Sequence, residues 1–182
     1  MRQLLLERAS RKLESRCTAI TKRALQRTRA AFGPGREGSV IFIAAAQRSG
    51  TTMMMDVLDR SLDTEVVYES DGRAYRDFQL RVPEALGSVV SASSAAGVVF
   101  KALCELQDLK SLLDQFPSSR AIWMVRDYRD VVNSHLALWT GMPESIGQIA
   151  RDRDAAGWRG RGMSDRTHRI VRQLYHPGIS NA

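Results

Sequence analysis

Apolar positions along this chain fall into two kinds of run that alternate. Residues 40–46, 98–100 and 121–125 are unbroken apolar stretches bounded by polar residues. Short runs of that kind predict strands buried on both faces, as in a parallel sheet. Residues 64–68 predict a further short strand. Between these runs the apolar residues recur every three or four positions. Met54, Val57, Leu58 and Leu62 predict a core-facing helix over 53–62, and residues 106–116 predict another, closed by Pro117. A third is predicted over 128–139, with Val131, Val132, His135, Leu136 and Trp139 at helical spacing. Residues 74–86 read as helical with an interruption at Pro83, and 88–97 as a small-residue loop or weak helix. Past Gly141 the pattern loosens. Residues 143–150 and 164–174 predict helices on either side of a charged, glycine-containing stretch, 151–162. Strands and helices in alternation predict an α/β fold, a doubly wound and mostly parallel sheet.

Ahead of that domain, Leu6, Leu13, Cys17, Ile20 and Ala24 lie near helical period, with arginines and lysines on the other faces. Residues 1–32 therefore predict one long basic amphipathic helix, stopped by Gly33-Pro34-Gly35. Its apolar stripe can pack on the domain, or it can bind an anionic membrane surface. Glu7 and Glu14 argue against a mitochondrial presequence. The expected division is a helix and linker over 1–36 and a ligand-binding domain over 37–182.

Composition narrows the partners. The chain has 182 residues, 43% of them apolar, enough for one domain with a real core. Its formal charge of +7 comes mostly from arginine, which favours an anionic partner. The basic helix lacks interleaved aromatics, so no specific nucleic acid is expected. Cys17 and Cys104 sit far apart in apolar surroundings, which points to free thiols in a reducing compartment. No apolar run approaches the length of a membrane span, and Leu4-Leu5-Leu6 is followed at once by Glu7 and Arg8. A soluble, cytoplasmic protein is expected.

The chemistry concentrates where the first apolar run empties into Gln47-Arg48-Ser49-Gly50-Thr51-Thr52, just ahead of a helix. Strand, small-residue turn and helix together build an anion site. The turn aims backbone N–H groups at one point, the helix adds its positive end, and Arg48 adds a full charge. A nucleotide triphosphatase would need Gly-x-x-x-x-Gly-Lys-Ser/Thr. Here Ala45 takes the first glycine position and Thr51 the lysine position, so that reading fits poorly.

Gln-Arg-Ser-Gly-Thr-Thr at 47–52, followed by a predicted strand and Arg-Asp-Tyr-Arg-Asp-Val-Val-Asn-Ser at 126–134, resembles the sulfotransferase family that uses PAPS (3'-phosphoadenosine 5'-phosphosulfate). The resemblance covers residues 39–140, more weakly beyond. It implies a P-loop-like topology, PAPS as co-substrate, no metal, and transfer of a sulfuryl group to a hydroxyl or amine. By position, Arg48 would stand beside the bridging oxygen, with Ser49, Gly50, Thr51 and Thr52 as the cradle of the 5'-phosphosulfate. Arg126 and Ser134 would hold the 3'-phosphate. A surface ion pair with Asp127 or Asp130 is the plainer role for Arg126, and Ser134 as an ordinary helix serine is the plainer role there.

A base must take the acceptor's proton. The family's cytosolic members carry a histidine in a Lys-Thr-His run, but here the run is Lys101-Ala102-Leu103. Glu69 resembles the glutamate that other members place after the second strand, and it is the candidate base. Glu105 and Asp71 stand in reserve, and a turn pairing of Glu69 with Arg73 or Arg76 is the alternative. His135 reads as a packing residue. The acceptor is a small molecule, carbohydrate or lipid that the sequence does not specify. Family members extend further, with a glycine-rich basic segment that closes over the nucleotide. Residues 157–162, Gly-Trp-Arg-Gly-Arg-Gly, share its composition but not its order, so the domain is expected to be incomplete at its C-terminus. A non-catalytic PAP- or PAPS-binding protein is the alternative function.

Overall fold

In a computed structural model of the chain, residues 18, 20–31, 38–139 and 141–177 are described. Helix α1 spans 20–31, and strand β1, Ser39–Ala44, leads through the glycine turn into α2, Thr51–Asp59. There follow β2 Thr64–Val66, β3 Tyr75–Arg76, β4 Gln79–Leu80, α3 Pro83–Ala92 and β5 Gly97–Ala102. A single 3-10 turn precedes α4 Leu109–Gln115, and then come β6 Arg120–Trp123, α5 Tyr128–Leu138, α6 Met142–Arg151 and α7 Asp165–Leu174.

The apolar runs pair as a four-stranded sheet in the order β2-β5-β1-β6, every pairing parallel. Parallel pairing puts all the strand C-terminal ends along one edge, which is where ligand crevices of such sheets form. The two central strands are the most apolar, and all of β5 is buried. On one face Phe42 and Phe100 pack with ring centres 6.1 Å apart, joined by Leu86 and Val89 of α3 and Leu109 and Leu112 of α4. On the other face Ile43 and Val99 pack on Met55 of α2. Each large apolar side chain taken from water contributes roughly 1.5–3 kcal/mol.

Several elements differ from the sequence expectation. Residues 74–86 are not a helix. β3 and β4 form an antiparallel hairpin, turned by Asp77 at φ 52° and Phe78 at φ 64°. Left-handed conformations at both turn residues match the strand twist of a two-residue hairpin. Pro83 then opens α3, where its missing N–H is not needed, and the helix takes in residues 88–92. Helix α2 starts at Thr51, earlier than expected, so Met55 is its core residue and Val57 is largely exposed. β6 is an edge strand and not a buried one: Trp123 is 56% exposed, and α5 has no buried residue.

Helix α1 also docks in an unexpected way. Ile20 is 68% exposed and Ala24 is exposed, while a polar stripe faces the domain. Lys22 pairs with Asp59, Arg29 with Asp63, and the buried Gln26 donates from Nε2 to the carbonyls of Leu62 (3.2 Å) and Thr64 (2.9 Å). The polar contacts win because the edge of β2 offers carbonyls that need donors. The rest of the predicted N-terminal helix and its linker lie outside the described residues. Gln26→Leu leaves those carbonyls unsatisfied and lowers stability by about 2 kcal/mol, read as a fall in denaturation midpoint. Among the described residues no helix is long and apolar enough to cross a membrane.

Candidate functional site

Three groups of residues meet at the C-terminal edge of the sheet. The first is the turn between β1 and α2. Arg48 and Gly50 both have positive φ, 68° and 88°, with the buried Ser49 between them. Alternating left- and right-handed residues point successive N–H groups into one concavity. Gly50 is needed for this, since φ 88° strains any residue with a Cβ. It caps α2 with no side-chain acceptor, and the first turn of α2 carries no acid, so no residue of the turn or of the helix's first turn neutralises that helix end.

The second group arrives from the end of β6. Arg126 donates from an Nη to the backbone oxygen of Arg48 at 3.0 Å, across 78 residues of sequence. Arg48 in turn donates from Nε to Ser134 Oγ at 3.0 Å. The two arginines and the serine predicted from two separate motifs are therefore joined in one cluster. Asp127 is engaged as the cap of α5, accepting from the Arg129 N–H at 2.8 Å. Asp130 is 3.6 Å from Arg126 Nε, so the alternative ion pair forms as well, without displacing the contact to Arg48. At the surface such a pair contributes little.

Glu69 belongs to the third group. Neither Arg73 nor Arg76 takes it: Arg73 pairs with Asp71 at 2.6 Å and Arg76 lies 3.9 Å from Asp77. Glu69 accepts instead from Lys101 Nζ at 2.9 Å, and Lys101 Nζ also donates to Thr52 Oγ1 at 3.3 Å. Lys101 links the candidate base to the last residue of the phosphate turn. Its side chain is 8% exposed, and the Tyr75 hydroxyl clamps its backbone, accepting from the N–H at 2.6 Å and donating to the carbonyl at 3.2 Å. Burial pushes the Tyr75 hydroxyl up, so it stays protonated and can do both. Lys101 was legible as the one charge inside a buried apolar strand, yet sequence reasoning used it only to mark a missing histidine.

The reserves are poorly suited as bases. The Arg73 guanidinium holds the Asp71 carboxyl below its usual range. Glu105 is 7% exposed, with one carboxylate oxygen accepting from the Leu80 N–H at 2.9 Å and the other buried without a hydrogen-bond partner among the described residues. Burial pushes its carboxyl up. A raised folded value means the folded chain holds the proton more tightly, so stability present at acid pH is lost as pH rises through that value. The stability of Glu105→Gln relative to the parent should thus grow as pH rises above about 5, measured by thermal melts. His135 is half-buried, donates from Nδ1 to the Val131 carbonyl at 2.8 Å, and meets the Trp139 ring edge-on.

Residues 157–162 pack at the end of β5. Arg161 donates to the Cys104 carbonyl at 3.5 Å, and Gly160 sits so close to Arg153 that a Cβ there would meet its carbonyl oxygen at 1.8 Å. No family model, curated protein or solved structure matches the chain. Fold and site geometry therefore carry the functional argument.

Proposed function

We propose that this chain is a PAPS-dependent sulfotransferase, moving a sulfuryl group from PAPS to a hydroxyl or amine. The observation that carries the reading is the cluster of Arg48, Ser134 and Arg126, in which two distant motifs converge on one cationic spot beside the uncapped start of α2. The strand order β2-β5-β1-β6, with the phosphate turn after a central strand, is the order a P-loop-like topology calls for. The resemblance of residues 47–52 and 126–134 to the family supports the same assignment.

In this reading the N–H groups of 48–52 and the Ser49, Thr51 and Thr52 hydroxyls hold the 5'-phosphosulfate, and Arg126 with Ser134 holds the 3'-phosphate. Glu69 takes the acceptor's proton as the acceptor oxygen or nitrogen bonds to sulfur. The bond from sulfur to the bridging oxygen breaks, and that oxygen leaves on the phosphate of PAP (adenosine 3',5'-bisphosphate). Arg48 and Lys101 offset the charge that develops there. The co-substrate supplies the activated sulfuryl group, and no metal is called on.

The exposed side of the site favours a second reading, a PAP- or PAPS-binding protein without transfer. Trp123 and Val125 are 56% and 82% exposed, so the Arg126 flank stands open to water among the described residues. The outward Ile20 and Ala24 of α1, beside the exposed Arg23 and Arg27, support contact with an anionic membrane surface in a cytoplasmic setting. Calorimetric titration with PAP tests the assignment: saturable binding that falls on loss of Arg126 supports it, and no binding by the parent chain overturns it. Binding with no transfer to any member of an acceptor panel selects the second reading.

A further inference from the structure

The four-stranded sheet has two edges, and the chain treats them differently. At β2 the edge is served from within, by Gln26 of α1 donating to the carbonyls of Leu62 and Thr64. At β6 nothing pairs on the outer side among the described residues. Free edges are commonly guarded by proline, by inward-pointing charge or by a bulge. β6 has none of these: Arg120-Ala121-Ile122-Trp123 pairs with β1 in unbroken register, its one charge stands at the first residue, and Trp123 is exposed. Met124 donates its N–H to the Ala44 carbonyl, so Ile122, two residues back, also turns its backbone groups toward β1. The N–H and C=O groups of Ala121 and Trp123 therefore point outward from the sheet.

The apolar margin continues past the strand. Val125 is exposed, and so are Tyr128, Val132 and Leu136, which recur every four residues along α5 and form one stripe of a helix that buries no residue. Single exposed apolar residues are ordinary, but a stripe that follows directly on an open strand edge marks a contact surface. This margin is also neutral, since Arg126 and Arg129 offset Asp127 and Asp130, although the chain as a whole has a formal charge of +7. An anionic partner finds little to select there, whereas a second copy meets no net repulsion. The edge is self-complementary as well. About a twofold axis at Ile122, Ala121 of each copy stands opposite Trp123 of the other, and both carry the outward N–H and C=O groups that a hydrogen-bonded antiparallel pair exchanges. Each indole then lies beside a methyl group and clears the other indole. With the β2 edge engaged by α1, this pairing closes as a dimer and does not run on as a fibre.

We infer that β6 and the apolar stripe of α5 form the contact between two copies of this chain, joined edge to edge by antiparallel β6 strands into one continuous sheet. The strand pair alone is too small for a stable interface, which buries roughly 800 Å² per partner, and the apolar margin from Val125 to Leu136 supplies the remaining area. The inference stands apart from the nucleotide assignment and is tested without it. Sedimentation velocity of the full chain should show monomer and dimer in exchange, with a dissociation constant of about 1–10 µM that changes little with added salt. Trp123→Lys and Val132→Asp, both at exposed positions, should each raise that constant about tenfold or more, with the circular dichroism spectrum unchanged. Ile122→Cys in a Cys17→Ser background should link two copies through a disulfide under mild oxidation, because residues at the axis of such a pair bring their Cβ atoms within about 5 Å and the remaining Cys104 is buried. A chain that stays monomeric at about 100 µM, a dimer that salt dissolves, or a dimer as tight in either exposed variant as in the parent overturns the inference. A folded, dimeric Ile122→Cys chain that fails to cross-link overturns it too.

Discussion

Glu69→Gln is expected to lower the rate of PAPS-dependent sulfuryl transfer by roughly a hundredfold or more, the range lost when a positioned general base is removed. PAP binding should survive unchanged, because Glu69 reaches the nucleotide turn only through Lys101 and Thr52. The measurement is PAP formation against an acceptor panel, beside a calorimetric titration of the same preparations. Unchanged turnover would remove Glu69 as the base. It would not readily pass the role to Asp71, which is tied to Arg73, or to Glu105, whose free oxygen faces the interior.

The choice of glutamine matters for this test. Lys101 is almost wholly buried, and a buried ammonium left without a partner costs far more than a surface charge. The glutamine amide oxygen can still accept from Lys101 Nζ, whereas alanine leaves the ammonium, among the described residues, with Thr52 Oγ1 at 3.3 Å alone. Glu69 is itself 28% exposed, so water can reach the pair and temper the loss. Glu69→Ala should therefore destabilise the fold by about 2 kcal/mol, less than a fully buried pair would. Lost activity in the alanine variant alone would not separate chemistry from folding.

Sequence pattern made parts of this molecule readable and hid others for identifiable reasons. The central strand was plain because Val40 to Ala46 is unbroken apolar, the composition of a strand buried on both faces. The meeting of Arg48 with Arg126 and Ser134 was legible because both motifs sit at strand ends that a parallel sheet must bring to one edge. The β3–β4 hairpin was hidden, since Phe78 is unusual in a left-handed turn and the neighbouring residues have helical spacing. The docking face of α1 was misread because Lys22 and Gln26 look like solvent-facing residues, while the carbonyls they serve belong to the end of α2 and to β2 with its approach. β6 has the apolar content of a buried strand and still lies at an edge. Composition reports what a strand tolerates, whereas neighbours decide what covers it.

Arg126→Ala should weaken PAP binding by about ten- to a hundredfold, the loss of one charge-assisted contact to a phosphate. Arg48→Ala should cost a similar factor, but the two losses are not expected to add. Arg126 donates to the carbonyl of Arg48, and Arg48 donates to Ser134, so each variant also loosens the partner that the other would leave intact. Residues linked in one hydrogen-bond network typically show coupling of about 0.5–3 kcal/mol. The double variant should accordingly bind PAP more tightly than the product of the single losses predicts. Ser134→Ala supplies the control: it removes the acceptor of Arg48 Nε without removing charge, and should give a smaller loss with little change in salt dependence. Adenosine 5'-monophosphate separates the two phosphate subsites, because it lacks the 3'-phosphate assigned to Arg126 and Ser134. Its affinity should fall much less on Arg126→Ala, which acts on it only through Arg48, than on Arg48→Ala. The opposite pattern would place the 3'-phosphate at the β1 turn and reverse the nucleotide in the site.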